Sequence, residues 1–426
     1  SFTSIRMTAY ARATMDANQG TPGDDEPRNA IGPPAPVAPA DAGFAAAEAE
    51  RLLKEAIERA TLERHWDADR LGRRVFVGLA RWFGLAVVCA LLATWLQHPD
   101  AAILVALAAV FALTQSWDVR DGALAGALAG EPAIEPGAIG FALRVLVPLA
   151  VPAAAAIGYI GLGVFAKSLP FTPAHLAAMR WCWAAAAACL AMTIPALARP
   201  ITRAVLPNAP WSHTARLSAS IALALLLLPV PVRLLINDML DMVQGTGKPL
   251  VDAGALVAQL VGEIALAAAA VGLWVTRDAR PVRERLGLRA MSGRDWIVAA
   301  IGLGLVIALN SGMEAIEHAR FPALWAADQQ MGEMIAGGLN VAAGILLGVS
   351  AGVGEELLVR GALQPRAGLF WASVLFMAGH VQYTWFGMLT ILLLGISLGV
   401  IRARANTTTA IVVHALYDIV AALGSK

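Results

Sequence analysis

Apolar runs of membrane-crossing length dominate this chain and leave it few folds to choose from. Stretches such as WIVAAIGLGLVIALNSGMEAI (296–316) and LVAQLVGEIALAAAA (256–270) hold almost no charge. A helix rises about 1.5 Å per residue, so about 20 such residues cross a hydrocarbon core of about 30 Å. Runs of this kind fall at 75–96, 101–117, 141–166, 181–198, 217–236, 250–275, 296–316, 334–354, 367–383, 386–401 and 407–423. The second is short, and Pro229 and Pro231 kink or end the fifth. The composition agrees: 58% of the 426 residues are hydrophobic and 15% charged, where a soluble protein has about half and about a quarter. The expected fold is an all-α polytopic membrane protein with about eleven transmembrane helices.

Net charge is +1, so no overall field points to nucleic acid as a partner. The three cysteines, Cys89, Cys182 and Cys189, lie inside apolar runs. They read as small apolar packing residues rather than as a disulfide or metal framework. The first twenty residues have no apolar core of the kind a signal peptide needs.

Residues 1–42, rich in Pro, Gly, Asp and Ala, read as disordered. Residues 43–74 read as a charged cytoplasmic helix, with Glu50 and Lys54 at a supporting i,i+4 spacing. The basic stretch TRDARPVRERLGLRAMSGR (276–294) divides a membrane region over 75–275, whose helices hold few charges, from a C-terminal core over 276–426 that holds many. Arginines concentrate in alternate loops, as at Arg199, Arg203, Arg216, Arg277, Arg402 and Arg404. The positive-inside rule then sets the N-terminus in the cytoplasm.

Ionisable residues inside apolar spans are expensive and mark functional sites by default. Three consecutive spans of the C-terminal core carry them, in EELLVR (355–360), FMAGH (376–380) and HALYD (414–418). On a helix, residues i and i+4 share a face. Glu356 and Arg360 are therefore expected to pair, which leaves Glu355 as the free carboxylate. His414 and Asp418 share one face, and Phe376 and His380 share another. Such a set supports two chemistries. Glu355 can act as a general base toward water while His380 and His414 stabilise the oxyanion. Alternatively, Glu355, His380 and His414 hold a divalent metal such as zinc, as in a metallopeptidase.

Together the three blocks resemble the EExxxR, FxxxH and Hxxx(N/D) motifs of the CPBP family of intramembrane proteases, the family of the Rce1-like CAAX prenyl endopeptidases. RERLGL (283–288) is similar to that family's lead-in, so the resemblance covers about 276–426. It implies a hydrolase cleaving a peptide or membrane-protein substrate at the lipid bilayer. By the same resemblance Glu355 is the catalytic glutamate, His380, His414 and Asp418 are further catalytic positions, and Glu356, Arg360 and Phe376 are supporting ones. Asp418 stands where the Rce1 branch has Asn, and an ionised Asp cannot donate to an oxyanion. It is left to orient His414, bind a metal, or carry a proton.

The alternative is a non-catalytic scaffold, maturation or immunity factor on the same fold, with a transporter ranked last. Glu263, the i+4 neighbour of Gln259, marks an ion path or pairs with an arginine from another span. The Ala-, Arg- and Gly-rich composition points to a GC-rich bacterial genome, hence to a multi-pass protein of the bacterial inner membrane. Trp325, Met331 and Met334 read as an interface anchor.

Overall fold

The computed structural model describes residues 72–93, 98–127, 138–244 and 251–424. They form fifteen α-helices. The N-terminal region contributes α1 (Gly72–Ala93), α2 (Asp100–Ala127), α3 (Ala138–Ser168), α4 (Pro173–Ala191), α5 (Pro195–Val205), α6 (His213–Leu227), α7 (Pro229–Gln244) and α8 (Ala253–Ala270). A short α9 (Ala279–Arg285) sits in the basic stretch. After it come α10 (Gly293–Arg320), α11 (Pro322–Gly332), α12 (Val341–Glu356), α13 (Gln364–Ala378), α14 (Trp385–Arg404) and α15 (Thr407–Gly424). The segment expected to be disordered (1–42) and the charged helix expected over 43–74 lie outside the described residues, except that 72–74 begin α1.

Among the described residues, eight helices are long and apolar enough to cross a membrane, or ten spans if each of two bent pairs counts as one. The pairs are α4 with α5, bent by 102°, and α6 with α7, bent by 53°. A proline opens the second helix of each pair, where its missing N–H and fixed φ are tolerated. The expected eleven exceeds the ten by one, because 334–354 and 367–383 fall largely in a single 38-residue stretch, Val341–Ala378, that is counted once. The chain stays helical from Val341 to Ala378, passing through a wide π-helical turn at Leu357–Leu363. At Gly368 the backbone leaves helical geometry, with φ at +77°, a value glycine reaches without strain. Glu355 therefore lies within a helical run, not at the end of one.

Lipid-facing and packed sides can be told apart. Helix α10 exposes Ile297, Ile301 and Leu305 at i,i+4 spacing while burying Ala299 and Val306. Apolar side chains pointing away from the protein suit hydrocarbon, not water. Helices from both sides of the basic stretch share one core, in which Trp82, Val105 and Leu266 pack with Leu286, Leu357 and Ala362. Cys182 and Cys189 are free thiols packed in a buried cluster with Tyr159.

Helix α12 is held on two sides. Gly348 and Gly352 face α15 one turn apart, and a Cβ on Gly352 would lie 2.6 Å from the Ala415 nitrogen. With no side chain in the way, the α15 backbone sits directly on α12, the close approach that small residues at i,i+4 permit between membrane helices. On another side Ser350, fully buried, donates its hydroxyl to the Leu256 carbonyl of α8 at 2.7 Å.

Candidate active site

Helix α12 ends in two successive carboxylates. Consecutive residues point about 100° apart on a helix, and the two meet different surroundings. Glu356 is fully buried and bonded on both oxygens. Oε2 accepts from Arg360 Nε at 3.1 Å, and Oε1 faces His414 Nδ1 of α15 at 3.1 Å. The terminal nitrogens of Arg360, also fully buried, find no hydrogen-bond acceptor among the described residues. The guanidinium instead lies over the Phe376 ring, 5.1 Å from its centre, a favourable cation–π contact.

His414 continues the chain of charges: its Nε2 stands 3.3 Å from Asp418 Oδ2. With both ring nitrogens facing carboxylate oxygens, the arrangement matches an imidazolium donating twice. Asp418 is thus in contact with the His414 ring, the geometry that orienting it requires.

Glu355 faces the other way. Its side chain keeps 18% exposure, and Oε2 is buried with no hydrogen-bond partner among the described residues. His380 Nε2 lies 3.9 Å from that oxygen. His380 Nδ1 is 2.8 Å from the Phe376 carbonyl. A carbonyl only accepts, so Nδ1 carries a proton, and Nε2 is the ring nitrogen that faces Glu355. Phe376 packs between the two imidazoles, with ring centres 4.7 Å from His380 and 5.9 Å from His414.

Glu355, His380, His414, Asp418 and Phe376 all line one cavity of about 970 Å³, while Glu356 and Arg360 are packed behind it. Helices α12, α13 with the turn after it, and α15 carry the side chains just named, and α8 adds Gln259 and Glu263 to the lining. Glu263 pairs with no arginine among the described residues. Its Oε1 accepts from Gln259 at 3.1 Å, and its carboxylate abuts Gly354, where a Cβ would collide with it.

Several lining residues carried no signal in the sequence. Tyr383 and Tyr417 line the same cavity. Asp328 of α11 accepts from the Thr384 backbone N–H at 2.6 Å and from its hydroxyl at 2.7 Å, and Glu317 of α10 lies 3.3 Å from the same hydroxyl. Thr384 is isolated in sequence from both carboxylates, and only the fold joins them. Its side chain also caps α14 by accepting from Gly387 N–H, and that much a Thr ahead of an apolar run does announce.

A zinc ion held by Glu355, His380 and His414 does not fit these side chains as they stand. Among the described residues no three His, Cys, Asp or Glu groups are arranged to hold one metal. His414 has no ring nitrogen left for a ligand bond, since both face carboxylates.

Comparison with known proteins bears on the same residues. Residues 337–420 match the family model described as Type II CAAX prenyl endopeptidase Rce1-like. The match is narrower than the resemblance over 276–426, yet it spans Glu355, Glu356, Arg360, Phe376, His380, His414 and Asp418. The comparisons with curated proteins and with solved structures each gave no match. The charged helices that carry the three motifs thus lie in the stretch of this membrane protein, 337–420, that is similar to the Rce1-like family.

Proposed function

We propose that the protein is an integral-membrane endopeptidase of the CAAX-protease type that uses Glu355, without a metal, to activate water. The convergence of Glu355, His380, His414 and Asp418 on one cavity carries this reading. Glu355 Oε2, buried and unbonded, takes a proton from a water molecule. The water oxygen then bonds to the peptide carbonyl carbon, and the carbonyl π pair moves onto its oxygen. His414, charged between two carboxylates, supplies positive potential for that oxyanion, and a tyrosine hydroxyl, Tyr383 or Tyr417, donates to it. His380 receives the proton from Glu355 on its free Nε2 and passes it to the departing amide nitrogen as the C–N bond breaks.

The substrate is a peptide or a membrane protein presented at the bilayer, and a prenylated one only where the host makes it. The arginine-rich loops support a cytoplasmic N-terminus in a bacterial inner membrane, with the scissile bond approached from the cytoplasmic side. The test compares purified wild type with Glu355→Ala and His414→Ala on candidate peptides. A missing general base costs about 10²- to 10⁴-fold in rate. Equal cleavage by all three proteins would overturn the assignment.

A further inference from the structure

Glu263 lies outside both the family match and the three motifs, on a helix of the N-terminal membrane region. Its environment is unusual for a carboxylate. One oxygen is held by the Gln259 amide at 3.1 Å. The other, Oε2, is buried and has no hydrogen-bond partner among the described residues. Gly354, the residue before Glu355, is what lets it in, because any side chain there would occupy the space of the Glu263 carboxylate. Glu263 and Glu355 line the same cavity, and each has one buried oxygen without a hydrogen-bond partner among the described residues.

Buried acceptors of this kind are costly unless a donor reaches them. A water molecule has two O–H groups, and in a polar cavity it satisfies such a pair. Its lone pairs then point away from both carboxylates. We infer that Glu263 is a second water-holding carboxylate of the site, accepting one O–H of the hydrolytic water while Glu355 accepts and removes the other. Glu263 takes no proton: the hydrogen it holds stays on the oxygen that bonds to the carbonyl carbon and leaves with the carboxylic acid product. The Gln259 amide fixes the direction of the carboxylate, so the water is aimed before substrate arrives, which is where positioning yields rate. This rests on the glutamate mechanism proposed above, and it gives α8 a part in the chemistry that the matched stretch alone does not contain.

The experiment uses the full chain purified in one detergent: wild type, Glu263→Met, Glu263→Gln and Glu355→Ala, each measured for kcat, KM and melting temperature on a peptide the wild type cleaves. Glu263→Met keeps the volume and removes both acceptors. Its kcat is expected to fall about tenfold to a hundredfold, with KM within about twofold and a melting temperature equal to or above wild type. A residue that only held the fold would lower the melting temperature instead. Glu263→Gln keeps one acceptor oxygen, so its kcat falls between the two. Wild-type kcat in Glu263→Met and Glu263→Gln, with Glu355→Ala inactive, overturns this inference alone. Equal cleavage by wild type and Glu355→Ala overturns it together with the glutamate mechanism.

Discussion

Replacing Gly352 by alanine adds one methyl group at the point where α12 and α15 touch. The new carbon would lie 2.6 Å from the Ala415 nitrogen, 2.7 Å from its Cβ and 2.8 Å from its Cα. Carbon contacts are most favourable at about 3.5–4.0 Å, so the helices must part by a large fraction of an ångström. None of the three atoms belongs to a side chain that can swing aside. Overpacking of this kind costs about 1–3 kcal/mol, partly offset by the roughly 0.5–1 kcal/mol that alanine gains over glycine inside a helix. Gly304, in the middle of α10, has nothing within 4 Å of an added Cβ, so Gly304→Ala isolates the propensity gain. The expected result is a lower melting temperature for Gly352→Ala and an unchanged or higher one for Gly304→Ala, both read by thermal unfolding in the same detergent. Activity reports the same displacement. His414 rides on α15 next to Ala415 and meets Glu356 of α12 at 3.1 Å, so parting the helices breaks that contact. A misplacement of about 1 Å costs on the order of a hundredfold in rate. Gly352→Ala with wild-type melting and wild-type kcat would refute the claim that this glycine contact builds the site.

The polar contacts lead to three further outcomes. Arg360→Met leaves Glu356 fully buried with one cationic partner instead of two, so stability should drop by about 3–5 kcal/mol; a melting temperature within error of wild type would contradict it. Thr384→Val removes the donor to Asp328 and Glu317 together with the cap of α14. That should cost about 1–3 kcal/mol, while Thr384→Ser, which keeps the hydroxyl, should melt near wild type. Chelator treatment should leave cleavage intact, since the side chains form no three-ligand set; activity lost to chelator and restored by added zinc would point to a metal the side chains rearrange to hold.

Much of this arrangement could be read from residue order alone, because it is local. The i,i+4 spacing of Glu356 with Arg360, of Phe376 with His380 and of His414 with Asp418 fixes which groups meet, and the structure has all three pairs in contact. The glycines at 344, 348 and 352 also spell out a helix-packing face. The boundary near 355 could not be read. A cluster of charges after an apolar run looks like a membrane surface, since water normally solvates such groups. Here His414, from a helix 58 positions further on, completes the pairing of Glu356 inside the protein, and the helix can continue. Pro365, Gly361 and Gly368 add to the impression of a loop, although Gly361 simply packs against Leu286 and only Gly368 departs from helical geometry. The neighbour of Glu263 was hidden for the same reason: nothing in LVAQLVGEIALAAAA announces that α8 will lie beside Gly354.

The adjacent glutamates show how one helical step separates a structural role from a chemical one. Arg360, Glu356, His414 and Asp418 form a row of alternating sign, in which each carboxylate lies between or beside cations and the sum is zero when His414 is charged. Such a row tolerates burial, because the attraction along it offsets desolvation and hydrogen bonds occupy the oxygens that face inward. Glu355 and Glu263 stand outside the row, each with an unbonded oxygen. A membrane protein keeps an unsatisfied carboxylate at a cost in stability, which selection would remove unless the group did something. The unpaired carboxyl groups of the site, Glu355 of α12 and Glu263 of α8, therefore belong to the cavity lining, and the buried pair of the row, Glu356 with Arg360, is packed behind it.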